Sequence, residues 1–154
     1  MPAQIVKAAA KDFPGVKHIT HETISVIYPH YYPMGVVEFF LNHHSDEHIM
    51  EDIRAGIVYL LVHEGNPIGT VTLKANEICR LFVLPQHQHK GFGRQLLDFA
   101  EETIAAQHSD ICLDSSLPAK RTYLRRGYIP LEARQIITAN GDVLCYDWMR
   151  KTIN

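Results

Sequence analysis

Apolar and polar positions along the chain switch between a spacing of three to four and near-continuous or alternating runs, and these switches divide it into helices and strands. Gln4 to Ala9 is a short apolar segment compatible with a first strand. Asp12 and Pro14 supply an N-cap and a first-turn proline for a helix whose periodic positions Val16, Ile19, Thr23, Val26 and Ile27 continue until Pro29 stops it. Between Pro29 and Pro33 the chain must turn through His30, Tyr31 and Tyr32. A second helix fits Met34 to Asn42, and Ser45 caps a third, carrying Ile49, Met50 and Ile53, that Gly56 ends.

From Ile57 the period changes. Ile57 to Val62 is a continuous apolar run, Glu64 to Pro67 a turn cluster and Ile68 to Leu73 a second β-rich run, which together predict a hairpin. After the turn at Lys74, Ala75 and Asn76, Glu77 to Leu84 forms the third member of an antiparallel meander. Leu96, Leu97, Ala100 and Ile104 then put an apolar stripe on a helix from Gly93 to Gln107. Ile111 to Leu113 is a short strand reached through that helix, the crossover a parallel neighbour requires. Ala119 to Arg126 predicts one more helix, stopped by Gly127, and Tyr128 to Ile137 with Val143 to Met149 a closing hairpin around Asn140 and Gly141. The order predicts an α+β (mixed α/β) chain.

Composition narrows the class. The 154 residues, 46% of them hydrophobic, fit one globular domain over residues 1–154. A formal net charge of −2 with interspersed signs provides no basic face for nucleic acid. Cys79, Cys112 and Cys145 lie far apart in apolar sequence, which predicts buried free thiols in a reducing compartment. Without a signal-peptide pattern, or an apolar run near the ~20 residues that span a bilayer, the expectation is a cytoplasmic protein with no membrane partner. The histidines His43, His44 and His48, and likewise His87 and His89, lack partner ligands at metal spacing, so no metal is expected.

The richest chemistry lies between Glu77 and Arg94. A strand ends at Pro85, and Gln88, His89, Lys90, Gly91, Phe92 and Gly93 lead into the helix at Arg94. Free amides at a helix start, the positive end of its dipole and glycines that permit close approach make an anion site suited to phosphate.

Gln88 to Gly93, Q-H-K-G-F-G, matches the Q/R-x-x-G-x-G/A signature of the GNAT superfamily of acyl-CoA N-acyltransferases. L-F-V-L-P just before it, and S-x-x-A-x-x-x-Y-x-x-x-G-Y at Ser116, Ala119, Tyr123, Gly127 and Tyr128, agree with that family, and the resemblance covers essentially the whole chain. It implies a single N-acetyltransferase domain with a central, mixed, mostly antiparallel sheet and helices on both faces. It further implies acetyl-CoA as co-substrate, an amine as acceptor, and a monomer or homodimer.

Carried over by resemblance, the amides of His89, Lys90, Gly91, Phe92, Gly93 and Arg94 surround the pyrophosphate, and Gln88 buttresses the loop or donates to a phosphate oxygen. The backbone of Leu81, Phe82 and Val83 lies along the pantetheine arm, with the Phe82 N–H facing the thioester carbonyl and Val83 pairing with a pantetheine amide. Ser116, where many members carry asparagine, and Ala119 lie along the same arm, and Tyr123 protonates the leaving thiolate. Arg125 and Arg126 read as a solvated face from which one could approach the cofactor's 3′-phosphate. Glu77 is the first candidate for general base, and His30, Tyr31 and Tyr32, with His21, edge the acceptor pocket. The implied activity is direct, ternary-complex transfer to a small-molecule amine, with a protein or peptide amine, or a non-catalytic acyl-CoA sensor, as the alternatives.

Overall fold

The computed structural model describes residues 2–153, and its elements follow the order read from the periodicity. β1 (Gln4–Lys7) leads through a 3-10 turn to α1 (Phe13–Ile27), α2 (Met34–His43) and α3 (Asp46–Arg54). The meander β2 (Val58–His63), β3 (Asn66–Lys74) and β4 (Glu77–Val83) comes next. Then follow α4 (Phe92–Ala105), β5 (Asp110–Ser115), α5 (Leu117–Arg125) and the hairpin β6 (Ile129–Ile137) and β7 (Val143–Thr152). The fold is α+β, with a seven-stranded sheet in the order β1-β2-β3-β4-β5-β7-β6. Every pairing is antiparallel except β4 with β5, which α4 crosses over to join.

Two apolar cores lie on opposite faces of the sheet. Val16, Ile19 and Ile24 of α1, Val36 and Val37 of α2, and Ile49 and Ile53 of α3 pack against Val58, Leu60 and Phe82 on one face. Leu96, Leu97, Ala100 and Ile104 of α4 and Tyr123 of α5 cover Leu61, Val71, Ile78 and Leu113 on the other. At Gly69 on β3, an added Cβ would stand 2.9 Å from Leu96 Cδ1 and 3.3 Å from the Phe82 carbonyl. Glycine there lets α4 sit close to the sheet beside β4.

Three local expectations are corrected. Asp12 has helical backbone angles and its carboxylate accepts from the Ala9 N–H (2.8 Å), so it closes the 3-10 turn ahead of α1 and does not cap that helix. Ser45, with extended backbone, does cap α3, accepting from the His48 N–H (3.2 Å). Val26 faces outward on α1, and Cys145 is exposed because it alternates with buried Leu144 on β7; Cys112 is buried and Cys79 half-buried. All three thiols are free.

The β6–β7 turn is longer than a two-residue hairpin: Thr138 donates its N–H to the Asp142 carbonyl (2.7 Å) around left-handed Gly141. Its tip reaches the start of α2, where the Gly35 N–H donates to Asp142 Oδ2 (2.9 Å). A Cβ at Gly35 would collide with the Asn140 side chain, so glycine is what allows this docking. The hairpin is thereby joined to the helical layer across the end of the sheet.

Candidate active site

The site begins where the sheet comes apart. β4 and β5 share a single register pair, Glu77 with Cys112, after which the two strands diverge. The cause is a bulge: Arg80 and Leu81 together oppose Val71 between the pairs Thr72–Cys79 and Thr70–Phe82, and Arg80 takes a left-handed conformation (φ 43°). For a non-glycine residue such strain costs ~1–3 kcal/mol and persists only where the surroundings impose it. Here the buried Arg80 side chain donates to Asp52 Oδ2 of α3 (2.9 Å), Thr72 Oγ1 of β3 (3.0 Å) and His44 Nδ1 after α2 (3.3 Å).

Register also determines which amides face the split. Leu84 donates its N–H to the Ile68 carbonyl (2.9 Å), so antiparallel alternation directs the Phe82 N–H toward Thr70 on β3. The Leu81 and Val83 amides turn the other way, into the space between β4 and β5. The expectation for Phe82 is thereby corrected by one residue: Leu81, not Phe82, presents a free N–H there. A one-residue bulge displaces polarity in a manner the apolar pattern does not record.

At the end of β4, Gln88 Nε2 donates to the Val83 carbonyl (2.9 Å) and buttresses the loop. His89 (φ 63°) and Gly91 (φ 89°) are both left-handed, and Gly91 is the N-cap of α4. The first bond of that helix runs from Gln95 N to the Gly91 carbonyl (3.1 Å), which leaves the amides of Phe92, Gly93 and Arg94 ahead of the ladder. An added Cβ on Gly91 or Gly93 would meet nothing within 4 Å. An open, amide-lined cradle at a helix start fits a pyrophosphate. The Lys90 side chain is exposed, and the Phe92 ring turns back onto His63, with centroids 5.1 Å apart.

A cleft of about 600 Å³ runs from this loop through the split, lined by Gln88, His89, Gly91, Gly93 and Arg94 at one end. Tyr28, Leu81, Phe82, Val83, Ser116, Ala119 and Tyr123 line its middle. Tyr123 is buried beside Tyr128 (5.6 Å, edge to face), and burial, with Tyr28 and Cys79 nearby, raises its phenol pKa. Burial likewise pushes the Tyr28 phenol up to about 12, against a contact with Ser116 that lowers it. Cys79 is held as a thiol, its pKa pushed up to about 12 by burial and the Glu77 charge.

The far end of the cleft has a carboxylate floor and an aromatic wall. Glu77 on β4 and Asp114 on β5 both line it, and both are raised above the carboxylate range, Glu77 by burial and then by Asp114, Asp114 by burial against the pull of Arg134 and His43. Across from them stand Phe39, Phe40, His43 and His44, with Ile136, Leu144 and Tyr146 from the hairpin. Burial and then Arg80 hold His44 neutral, with a pKa of about 2, and burial with His48 also lowers His43.

His30, Tyr31 and Tyr32 do not line this cleft. The 3-10 turn Tyr28–His30 that follows α1 aims Tyr28 inward and leaves His30 and Tyr31 exposed. Tyr32 is buried behind the wall, where its hydroxyl accepts from the Leu117 N–H (2.7 Å) at the start of α5. His21 Nε2 donates to the His44 carbonyl (2.7 Å), and His21 is likewise outside the cleft. Arg126 is bound to Glu101 and Asp98 of α4, while Arg125 is exposed. The sequence pattern does not single out Tyr28, Asp114 or the wall residues as parts of a site. Asp114 alone carries a signal, as an acid closing the apolar run Ile111 to Leu113.

Among the described residues no three His, Cys, Asp or Glu side chains gather as a metal site, and no helix is long and apolar enough to cross a membrane. Residues 27–141 match the family model described as an acetyltransferase (GNAT) domain. No curated protein matches the chain. A GCN5-related N-acetyltransferase from Rhodopseudomonas palustris is similar at 21% identity, over 99% of this chain and 97% of that one, with a TM-score of 0.89. The PaiA N-acetyltransferase from Thermoplasma acidophilum, in complex with coenzyme A, is similar at 20% identity over 99% of both chains, with a TM-score of 0.74. N-acetylglutamate synthase from Neisseria gonorrhoeae, complexed with coenzyme A and N-acetyl-glutamate, is 20% identical over the whole of this chain and 36% of its own, with a TM-score of 0.72.

Proposed function

The chain belongs to the GNAT acetyltransferase family, and from that membership we propose that it transfers the acetyl group of acetyl-CoA directly to the primary amine of a small-molecule acceptor, in the cytoplasm. The observation that carries this reading is the parting of β4 from β5, which opens the cleft between the glycine cradle and the Glu77–Asp114 floor. Acetyl-CoA supplies a thioester whose carbonyl carbon is open to a neutral amine. The amides from His89 to Arg94 hold its pyrophosphate, and Val83 pairs with the pantetheine arm as a neighbouring strand would. The Leu81 N–H donates to the thioester oxygen, where negative charge grows as the amine adds. Ser116 and Ala119 border the arm.

Glu77 takes one proton from the ammonium before attack, and a second leaves the nitrogen as the C–N bond forms. Tyr123 donates to the sulfur as the C–S bond breaks and is reprotonated from solvent. The products are the amide, CoA thiol and one net proton. With Cys79 held as the thiol, no acyl-cysteine step is needed.

Thiol release from acetyl-CoA across a panel of primary amines tests the activity, and release no faster than hydrolysis without acceptor would overturn it. Gly91→Glu tests the cradle: bulk and negative charge in open space beside the loop are expected to weaken CoA binding by at least about 10-fold, one charged contact's worth. Unchanged affinity by calorimetry would remove the pyrophosphate from this loop.

A further inference from the structure

The far end of the cleft specifies more of the acceptor than its amine, given the proposed function on which this deduction rests. Two carboxylates on diverging strands, Glu77 and Asp114, form its floor, on the side of the sheet that faces α2. Phe39, Phe40, Ile136, Leu144 and Tyr146 form an apolar wall above them. The wall is fixed in place: Phe40 packs edge-on against Tyr28 (4.8 Å), and the hairpin supplying the last three residues is docked on α2 through Gly35 and Asp142.

The cations nearest this floor stand outside the cleft: Lys74, the register partner of Glu77 on β3, is exposed and does not line it. Of the arginines lining the cleft, Arg94 stands at the phosphate-loop end, and Arg80 is committed to Asp52, Thr72 and His44. Arg134 is outside the lining, bonded to Glu132 (3.2 Å) and 3.8 Å from Asp114. Burial holds His44 neutral and lowers the pKa of His43, which disfavours a positive charge on either ring. A ligand entering this end meets two acids and apolar rings, and the lining there holds no cation other than the committed Arg80.

We infer that the acceptor is a monoamine with an apolar or aromatic body and no carboxylate beside its nitrogen, its ammonium held over Glu77 and Asp114 and its body against Phe39, Phe40 and Tyr146. An α-amino acid brings its carboxylate onto the acidic floor, where like charges repel in a part-desolvated site. A polyamine satisfies the floor but lays a second ammonium on the apolar wall, at the desolvation cost of an unpaired charge.

The test uses phenethylamine, L-phenylalanine and spermidine as acceptors for the whole chain, read by thiol release and by calorimetric binding to the CoA-loaded protein. Phenethylamine is expected to exceed L-phenylalanine in kcat/KM by at least about 100-fold, in the range of discrimination a mismatched polar group produces. Asp114→Asn is expected to weaken phenethylamine binding and shrink that ratio, with CoA affinity unchanged. L-phenylalanine or spermidine used as well as phenethylamine, or phenethylamine failing to bind the CoA-loaded protein, would overturn the inference while leaving acetyl transfer standing. Failure of acetyl-CoA itself to bind would overturn the proposed function, and this inference with it.

Discussion

Tyr123 combines two properties that work against each other in an acid. Burial raises its pKa, so the phenol stays protonated at any physiological pH, yet it becomes a weaker proton donor. A group of that kind serves a leaving thiolate only through position, and position is what Tyr128 provides, its ring against Tyr123 and its hydroxyl donating to Glu101 Oε2 (3.0 Å). Tyr123→Phe is therefore expected to lower kcat by about 100-fold, the low end for general-acid catalysis, with acetyl-CoA affinity nearly intact. Undiminished kcat, with chemistry shown to limit the rate, would transfer the role elsewhere, Tyr28 and Tyr146 being the other phenols in the cleft. As the proposed base, Glu77 carries the opposite demand, since a base must be ionised. Asp114 on β5, Cys79 on β4, Lys74 on β3, Arg134 on β6 and, through Asp114, His43 on α2 set its charge. Its raised pKa places the acidic limb of the kcat/KM profile above the ordinary carboxylate range, with activity rising as pH increases through it. Asp114→Asn is expected to move that limb down, and Glu77→Gln to abolish it. A limb unchanged in Glu77→Gln would assign the base to another group. The same shift opposes folding: groups whose folded pKa is raised stabilise the fold below the unfolded pKa, and that contribution is lost as pH rises through the folded value.

At the scale of elements, β4 depends on a buried ion pair to hold a shape its own sequence does not favour. Arg80 and Asp52 are 5% and 18% exposed at the side chain, so removing one partner strands a charge away from water. Asp52→Ala is expected to destabilise the protein by about 3 kcal/mol, the lower end for breaking a buried pair because Asp52 retains some water contact. If the pair also holds the bulge open, the KM for acetyl-CoA rises in Asp52→Asn, which keeps the shape and an acceptor but not the charge. A thermal loss with unchanged KM would make the pair structural only. The bulge also marks the limit of what could be read from the chain. Helices and strands were legible because their periods are written in apolar residues, and the phosphate loop because its glycines and helix start are local. Arg80 reads as an ordinary polar position in E-I-C-R-L-F-V, and its partners are 28 and 36 residues away in sequence for Asp52 and His44. The same non-locality hid the acceptor wall, which α2 shares with a hairpin 107 residues on, as the Gly35–Asp142 bond measures. His30, Tyr31 and Tyr32 read as a pocket edge in the chain and lie outside the cleft, because clustering in sequence, between two prolines, does not fix which side of a turn each ring takes.

For the molecule as a whole, the split sheet means that two bodies of secondary structure meet across a cleft. β1 to β4 with the first three helices stand on one side, β5 to β7 on the other, and they are joined by α4, by the lone Glu77–Cys112 register pair, by the Leu117–Tyr32 bond at the start of α5 and by the Gly35–Asp142 bond. In the proposed complex, strand groups beyond Glu77 that would ordinarily pair with a neighbour take the ligand as their partner. CoA at about 100 times its Kd is expected to contribute about 2.7 kcal/mol, roughly 5–10 °C in Tm for a chain of this size. A shift of that kind follows from binding anywhere, so its location is the stronger test. If pantetheine completes the sheet, hydrogen exchange slows at Leu81 and Val83, whose amides face the split, while Phe82, directed toward Thr70, is protected with or without CoA. If only the pyrophosphate is held, protection is confined to His89 through Arg94 and the β4 amides are unchanged. Because Leu81, Phe82 and Val83 are adjacent, an alternating response among them cannot arise from general stiffening of the strand. It requires a partner seated along one edge of β4, in register with the bulge that Arg80 maintains.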